Sequence, residues 1–465
     1  MSIESKDQLS TAYRWYVVIL LLCVSILAYV DRIVIALLID PMKKDLHITD
    51  TQAGVIVGLA FSLSYAIAGM ALGRIVDRHR RNIVLGVALA VWSCFTMLSG
   101  FTVGVTLLFL ARCGVGIGES AVNPASIAII GSSFPRDKVS YGLSTFAVGI
   151  YGGGGLAIIL GGQLSSYLTS LGPISIFGAP VAVWRLVFAC VGLPGLLLTP
   201  LVMLTIRDRR STRNAPPFTA EAKAPSVSVR EVLAYARRQG SLYPLLFGGL
   251  VAFGFYTYAI QGWIPTMLSR SYGLTPHQIS IFYGVPYLLG GVSGALLAGP
   301  IIRYLAARGR TDGPVLICQW TSILTLVPAV LGPIAHSATV AITCTIAVIF
   351  LAAIQQSNAF SSYVLVTPEG MRGQVTATHV LVMNVIAGTL GGVLVGVLSD
   401  HVFGAGRLGN GISLVALIGI PTAATLFSLL RPVYRRAVAK QLALAETAVG
   451  DVAGAVAAAP ILARR

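Results

Sequence analysis

Apolar residues in this chain run for about 20 positions at a time, the length needed to cross the hydrocarbon of a bilayer as a helix. Short polar breaks separate the runs, and reading them in order predicts twelve helical spans at about 15–39, 53–72, 83–101, 105–130, 141–164, 184–206, 242–268, 279–302, 314–334, 338–361, 375–398 and 410–430. The one long polar stretch, 207–240, carries Pro216-Pro217 and an excess of basic residues, and it divides the spans six and six. The pattern therefore predicts an all-α integral membrane protein. Its expected parts are an N-terminal six-helix bundle (1–206), a linker (207–240), a C-terminal six-helix bundle (241–430) and a tail (431–465), with no stretch left for a soluble domain. Within the linker, 228–238 reads either as an amphipathic helix on an anionic leaflet or as a solvated loop. The segment before Trp15 is polar and too short for a cleaved signal, so span 1 is expected to insert directly and remain.

Composition agrees: 55% of residues are hydrophobic and 11% charged, against roughly 25% charged in soluble domains. The formal net charge of +16 invites a nucleic-acid reading until its distribution is examined. Only Lys43, Lys44, Arg185, Arg270 and Arg407 fall in one set of alternate loops, and only Arg32 and Arg112 lie within spans; the remaining Lys and Arg occupy the other loops and both termini. This is the positive-inside bias of a multi-pass protein of the cell membrane, in a bacterium the inner membrane, with both termini cytoplasmic. The partner to expect is the bilayer, not nucleic acid. The six cysteines all fall in spans without ligand spacing and read as core residues, and the six histidines are isolated. Neither a metal, a cofactor, nor an intramembrane enzyme is expected, and no phosphate-binding Gly-x-x-x-x-Gly-Lys-Ser/Thr loop is present.

Against this apolar background a few charges stand out. Span 4 reads Leu110-Ala-Arg112-Cys-Gly114-Val-Gly116-Ile-Gly118-Glu119-Ser-Ala-Val-Asn123-Pro124. Arg112 and Glu119 are seven residues apart, so on a helix they share a face about 10.5 Å apart along the axis. Either they form a structural ion pair among packing glycines, or they face a water-filled cavity. Span 1 contains Asp31-Arg32, whose side chains point about 100° apart. Asp31 and Arg112 lie at similar depth, which makes them natural partners and leaves Glu119, about 10 Å away, without an evident counter-ion. Asp31 and Glu119 are thus the expected proton-coupling residues, and Arg32 and Arg112 the expected anion ligands. Spans 7–12 carry no interior Asp, Glu, Lys or Arg. Their polar candidates are Tyr256, Tyr258, Gln261 and Trp263 in span 7, Tyr283 and Tyr287 in span 8, Gln355, Gln356 and Asn358 in span 10, and His379 and Asn384 in span 11, each either a substrate ligand or an interhelical bond.

The junction of spans 2 and 3 reads Gly69-Met-Ala-Leu-Gly73-Arg74-Ile-Val-Asp77-Arg78-His-Arg80-Arg81. Gly73 permits close helix approach, and Asp77 sits where arginines and helix N-termini can hold it. This string resembles the loop 2–3 signature of the major facilitator superfamily, with Gly73, Asp77, Arg78 and Arg81 at motif positions and Arg80 in place of a glycine. The resemblance implies the twelve-helix major facilitator fold, with these four residues as a cytoplasmic gate. Arg112, Gly116, Gly118 and Pro124 are similar to the superfamily's second motif, and Gly149 to Gly162 to its glycine-rich fifth helix, where the glycines serve packing or bending. The halves echo one another, with Pro135-Arg136 answering Pro368…Arg372 and Gly73…Asp77 answering Gly299…Arg303. Asp31-Arg32, Arg112, Glu119, Trp263-Ile-Pro265 and His379…Gly388…Gly396-Val-Leu-Ser-Asp400 resemble the spinster-like transporters. That resemblance implies a monomeric, proton-linked carrier of amphipathic lipids, working by alternating access, with Tyr256, Gln261, Trp263, Gln356, Asn358 and His379 completing the substrate site. An anion:cation symporter of sugar or organic acids is the alternative, favoured by Trp184-Arg185 and the Trp-x-Pro of span 7; a channel is the third.

Overall fold

The computed structural model of the chain describes residues 10–135, 138–176, 178–208 and 229–462. Among these, twelve helices are long and apolar enough to cross a membrane: spans 1 (Thr11–Leu46), 2 (Asp50–Arg78), 3 (Arg81–Ser99), 4 (Val105–Ser133), 5 (Tyr141–Ser170), 6 (Val183–Thr205), 7 (Leu242–Tyr272), 8 (Pro276–Ala307), 9 (Gly313–Leu331), 10 (Ala338–Val364), 11 (Arg372–Phe403) and 12 (Ala405–Gln441). All twelve expected spans are present. Span 1 is longer than its sequence pattern indicates, because the helix carries Pro41 inside it and continues to Leu46; an aspartate followed by a proline reads as a helix end, whereas a packed membrane helix absorbs the missing N–H as a kink. Val229–Arg238 forms the linker helix, and 209–228 and Arg136 lie outside the described residues. A short antiparallel hairpin, Ile174–Ile176 with Ala179–Val181, joins spans 5 and 6.

Helix pairing repeats with a period of six. Spans 1 and 5, 2 and 4, 3 and 4, and 3 and 6 pack together; so do spans 7 and 11, 8 and 10, 9 and 10, and 9 and 12. These are two pseudo-symmetric six-helix bundles. The equivalent spans 2 and 8 even begin alike, each with a capping box in which a threonine and a glutamine three residues on satisfy one another's backbone N–H groups, Thr49 with Gln52 and Thr275 with Gln278. The bundles meet along spans 5 and 8, 2 and 11, and 1 and 7. Glycine sets how close they come: a Cβ on Gly54 would lie 2.7 Å from the Gly392 carbonyl oxygen. Along span 5, Gly149 and Gly153 receive Ser25 and Tyr29 of span 1, while Gly154 and Gly155 receive Tyr287 and Leu288 of span 8. The helix runs unbroken from Val139 to Ser170, so its glycines serve as a two-sided packing surface.

At the end carrying the loop between spans 2 and 3, each bundle ties the start of its third span to the end of its sixth. In the first, Asp208 accepts from the Arg81 N–H at 2.7 Å; in the second, Asp312 accepts from Arg431 at 3.1 Å and Arg435 at 2.9 Å. Burial alone would push the Asp312 carboxyl up, but the hydrogen bonds and charge of Arg435 and Arg431 outweigh it and hold the group below the ordinary carboxylate value. The cysteines differ from the expectation of a core role: Cys318 is buried, Cys113 and Cys344 are half-buried, and Cys23, Cys94 and Cys190 are exposed on helix surfaces. A span's hydropathy does not tell its inward face from its lipid face, since both are apolar.

Candidate functional site

The charges of spans 1 and 4 converge. The glycines of span 4 draw its neighbours in, since a Cβ on Gly116 would meet the Phe61 carbonyl oxygen at 2.6 Å and one on Gly118 the Trp92 side chain at 2.7 Å. Arg32 then donates from Nη2 to Glu119 Oε2 at 3.0 Å, with the Glu119 side chain fully buried and that of Arg32 18% exposed. Glu119 therefore has a counter-ion, and it comes from span 1, not from Arg112 on its own helix. The expected side-chain pairing of Asp31 with Arg112 is also absent among the described ion pairs: Arg112 Nη1 donates to the Asp31 backbone carbonyl at 3.3 Å. Equal depth is thus correct, but the contact is main-chain. The Asp31 carboxylate lies beside Trp92 and Thr96 of span 3. Asp31 Oδ1, Arg112 Nε and Nη2, and Glu119 Oε1 are buried without a hydrogen-bond partner. The guanidinium of Arg32 also lies over the rings of Phe61 at 4.4 Å, Tyr29 at 4.9 Å and Tyr65 at 5.2 Å.

Arg32 faces a cavity between the bundles. Its wall is built from Tyr29 and Arg32 of span 1, Tyr151 of span 5, Thr257, Tyr258 and Gln261 of span 7, Tyr283 and Tyr287 of span 8, and Gln356 of span 10. Of the expected substrate ligands, Arg32, Gln261 and Gln356 reach it. Arg112 does not, being wholly covered. Tyr256 is 2% exposed and Trp263 is buried, donating Nε1–H to the Gly392 carbonyl at 2.8 Å across the bundle interface. Asn358 donates to Ile354 O of its own helix at 2.9 Å, and His379 is stacked between Phe247 and Tyr363. The interhelical bond is made by Trp263; Tyr256, Asn358 and His379 pack away from the cavity. Of the tyrosines in this wall, Tyr258, Tyr283 and Tyr287 are among the polar candidates of spans 7 and 8, whereas Tyr29 and Tyr151 are not expected there. The signal for Tyr29 is helical spacing, three residues before Arg32.

Of the gate motif, Arg81 is anchored within its own bundle, donating to Ala128 O at 3.0 Å. Asp77 and Arg78 are exposed at the end of span 2. The close approach expected at Gly73 is not made in this structure, for nothing lies within 4 Å of where its Cβ would be. The bundles are instead locked at the opposite end. Buried Asp50 of span 2 accepts from Arg270 of span 7 at 2.8 and 2.9 Å, from Ser399 of span 11 at 2.6 Å and from Lys43 of span 1. Arg270 also donates to Asp40 at 2.8 and 2.6 Å, and Asp400 accepts from the backbone N–H groups of Asp50 and Thr51 at 3.1 and 2.6 Å.

Residues 21–392 match the family model described as the Major Facilitator Superfamily. The chain is 30% identical over 422 residues to an "MFS-type efflux pump" of Mycolicibacterium smegmatis, covering 89% of this chain and 91% of that protein. It is 25% identical over 404 residues to "Protein spinster homolog 1" of Xenopus tropicalis, covering 83% and 73% respectively. In fold it is similar to a bacterial homolog of the human lysosomal transporter Spinster, solved in an inward-facing and unoccupied conformation, with a TM-score of 0.74 at 20% identity over 92% of this chain and 98% of that one. With twelve spans in two repeating bundles and this family match over residues 21–392, the chain is a multi-pass membrane transporter belonging to the Major Facilitator Superfamily.

Proposed function

We propose that the protein is a proton-coupled secondary active transporter that moves an amphipathic anion of the lysophospholipid or sphingoid-phosphate kind. The observation that carries this reading is the Arg32–Glu119 pair: one guanidinium both lines the cavity and holds a fully buried carboxylate. With Asp31, Arg32, Arg112 and Glu119 all ionised the cluster is neutral. An anion arriving at Arg32 makes it net negative, and a proton on Glu119 restores balance while releasing the guanidinium. Proton and anion therefore favour each other's binding, and anion affinity rises as pH falls. Arginine's planar fork suits a phosphate or carboxylate headgroup, and the tyrosine-rich wall suits an apolar body. One chain contains the whole cluster and cavity, so a monomer suffices.

By the distribution of basic residues the termini are cytoplasmic and the lock at Asp50 and Arg270 is on the outer side, making this the inward-open state of an alternating-access cycle. Thr257, Gln261 and Gln356 beside Arg32 also suit a hydroxylated organic acid, the second reading. Purified protein in proteoliposomes tests both, by uptake of a lysophospholipid and of a sugar acid with and without an imposed pH gradient. Glu119→Gln is expected to abolish the response to the gradient while retaining downhill exchange and high anion affinity from pH 5.5 to 8. A wild-type response in Glu119→Gln sinks the coupling role, and uptake of the sugar acid alone selects the second reading.

A further inference from the structure

A second and separate cavity of about 660 Å³ lies toward the locked end, in the size range of small-molecule sites. It is lined by Leu37, Asp40, Pro41 and Lys44 of span 1, Pro265, Thr266, Ser269 and Arg270 of span 7, and Pro276 and Ile279 of span 8, with Thr169 of span 5 and Val183 of span 6 at its side. On span 1 these residues follow, toward the locked end, those that present Tyr29 and Arg32 to the central cavity; on span 7 they follow Gln261, and on span 8 they precede Tyr283. The two cavities are therefore stacked along the same helices. Between them is a thin partition in which Thr266 Oγ1 donates to the Ala36 carbonyl at 3.1 Å, about one helical turn from Arg32 on one side and from Asp40 on the other. Pro41 and Pro265 each withdraw a backbone donor beside this partition.

The walls are apolar at Leu37, Pro41, Pro265 and Ile279, and their charges do not balance. Arg270 is fully engaged by Asp40 and Asp50, and Lys43 is held by Asp50. Lys44 lines the cavity without an ion partner among the described residues. Resting on the transport reading above, the geometry points to an outer exit site for the amphipathic anion, in which Lys44 receives the headgroup and the proline-flanked wall the apolar chain. The site is already formed behind the partition before the lock opens. A headgroup there also faces Arg270 and competes with Asp40 for it, so occupancy loosens the tie between spans 1 and 7 from the outside.

Hexyl phosphate, water-soluble and anionic, is the probe, and hexanol its uncharged control; binding is measured by calorimetry on protein in nanodiscs with empty discs subtracted. Wild type is expected to show two hexyl phosphate sites and to bind hexanol at least tenfold more weakly at both. Lys44→Gln should weaken one site about tenfold, the loss of a charge-assisted contact, and keep the melting temperature of wild type within a few degrees; Arg32→Ala, made in the Glu119→Gln background so that no buried carboxylate loses its counter-ion, should remove the other. One site in wild type, unmoved by Lys44→Gln and lost in Arg32→Ala, overturns the outer site and leaves the central reading standing. A single site lost in Lys44→Gln and unmoved by Arg32→Ala does the reverse.

Discussion

Arg112 is the residue whose position demands most explanation, because it is a permanent charge with no exposure, in a span that otherwise belongs in lipid. It touches the site only through main chain, by its bond to the Asp31 carbonyl, and two of its nitrogens have no partner. Its role is then to hold the positive half of a buried neutral cluster and to fix span 1, not to meet the substrate in this state. Lysine keeps the charge but loses the planar fork and most of the donors. Arg112→Lys is expected to fold, to be expressed near the wild-type level, and to transport at least about tenfold more slowly, whereas Arg112→Ala leaves the buried cluster one positive charge short, at about 3–5 kcal/mol, and should accumulate poorly. Initial transport rates normalised to purified protein decide it, and a wild-type rate for the lysine variant means that only the charge matters.

At the scale of the element, span 5 shows how a glycine run becomes specific. Tyr287 of span 8 sits against Gly154, and reciprocally Tyr151 of span 5 sits against Gly291, whose added Cβ would meet the Tyr151 Cβ at 2.9 Å. Both tyrosines also line the central cavity, so the contact that joins the bundles shapes the binding wall. Gly152 is the internal control, since an added Cβ there would meet only Val148 of its own helix, at 3.9 Å. Gly291→Val should displace Tyr151, lower the melting temperature and reduce transport several-fold. Gly152→Ala should transport normally and melt no lower, because alanine is the better helix former by about 1 kcal/mol. Equal effects of the two substitutions in a thermal melt and an uptake assay would refute the distinction.

For the whole molecule, the Asp50 lock gathers spans 1, 2, 7 and 11 onto one carboxylate. Those spans belong to both bundles, so the lock must break for this end to open. Asp50→Asn keeps the shape and removes the charge that Arg270 and Lys43 face. It is expected to lengthen the distance between spin labels at Val103 and His336, exposed loop positions on this end of the two bundles, in protein whose native cysteines have been replaced. An unchanged distance distribution would mean that the glycine contacts of spans 2 and 11 alone hold this end closed.

What the chain determined by itself is whatever depends on local physics. Twelve apolar runs determined twelve spans, the placement of Lys and Arg determined a sidedness to expect, and Asp31, Arg32, Arg112 and Glu119 announced themselves because charge in lipid is costly wherever it sits. Even the depth shared by Asp31 and Arg112 follows from counting residues along two helices. The partners were decided only by tertiary structure. Helical spacing assigns a residue to a face but leaves free the rotation of one helix against another, and that rotation gives Glu119 to Arg32, 87 residues away, and sets Asp31 beside span 3. The same freedom buries Tyr256 and Trp263 while bringing Tyr29, Tyr151 and Tyr258 to the cavity, and places Cys23, Cys94 and Cys190 on the surface. Asp50, Arg270 and Asp400 each read as an ordinary charge at a helix end. They become a lock because two bundles, folded separately by the same pattern, bring positions up to 350 residues apart within hydrogen-bond reach.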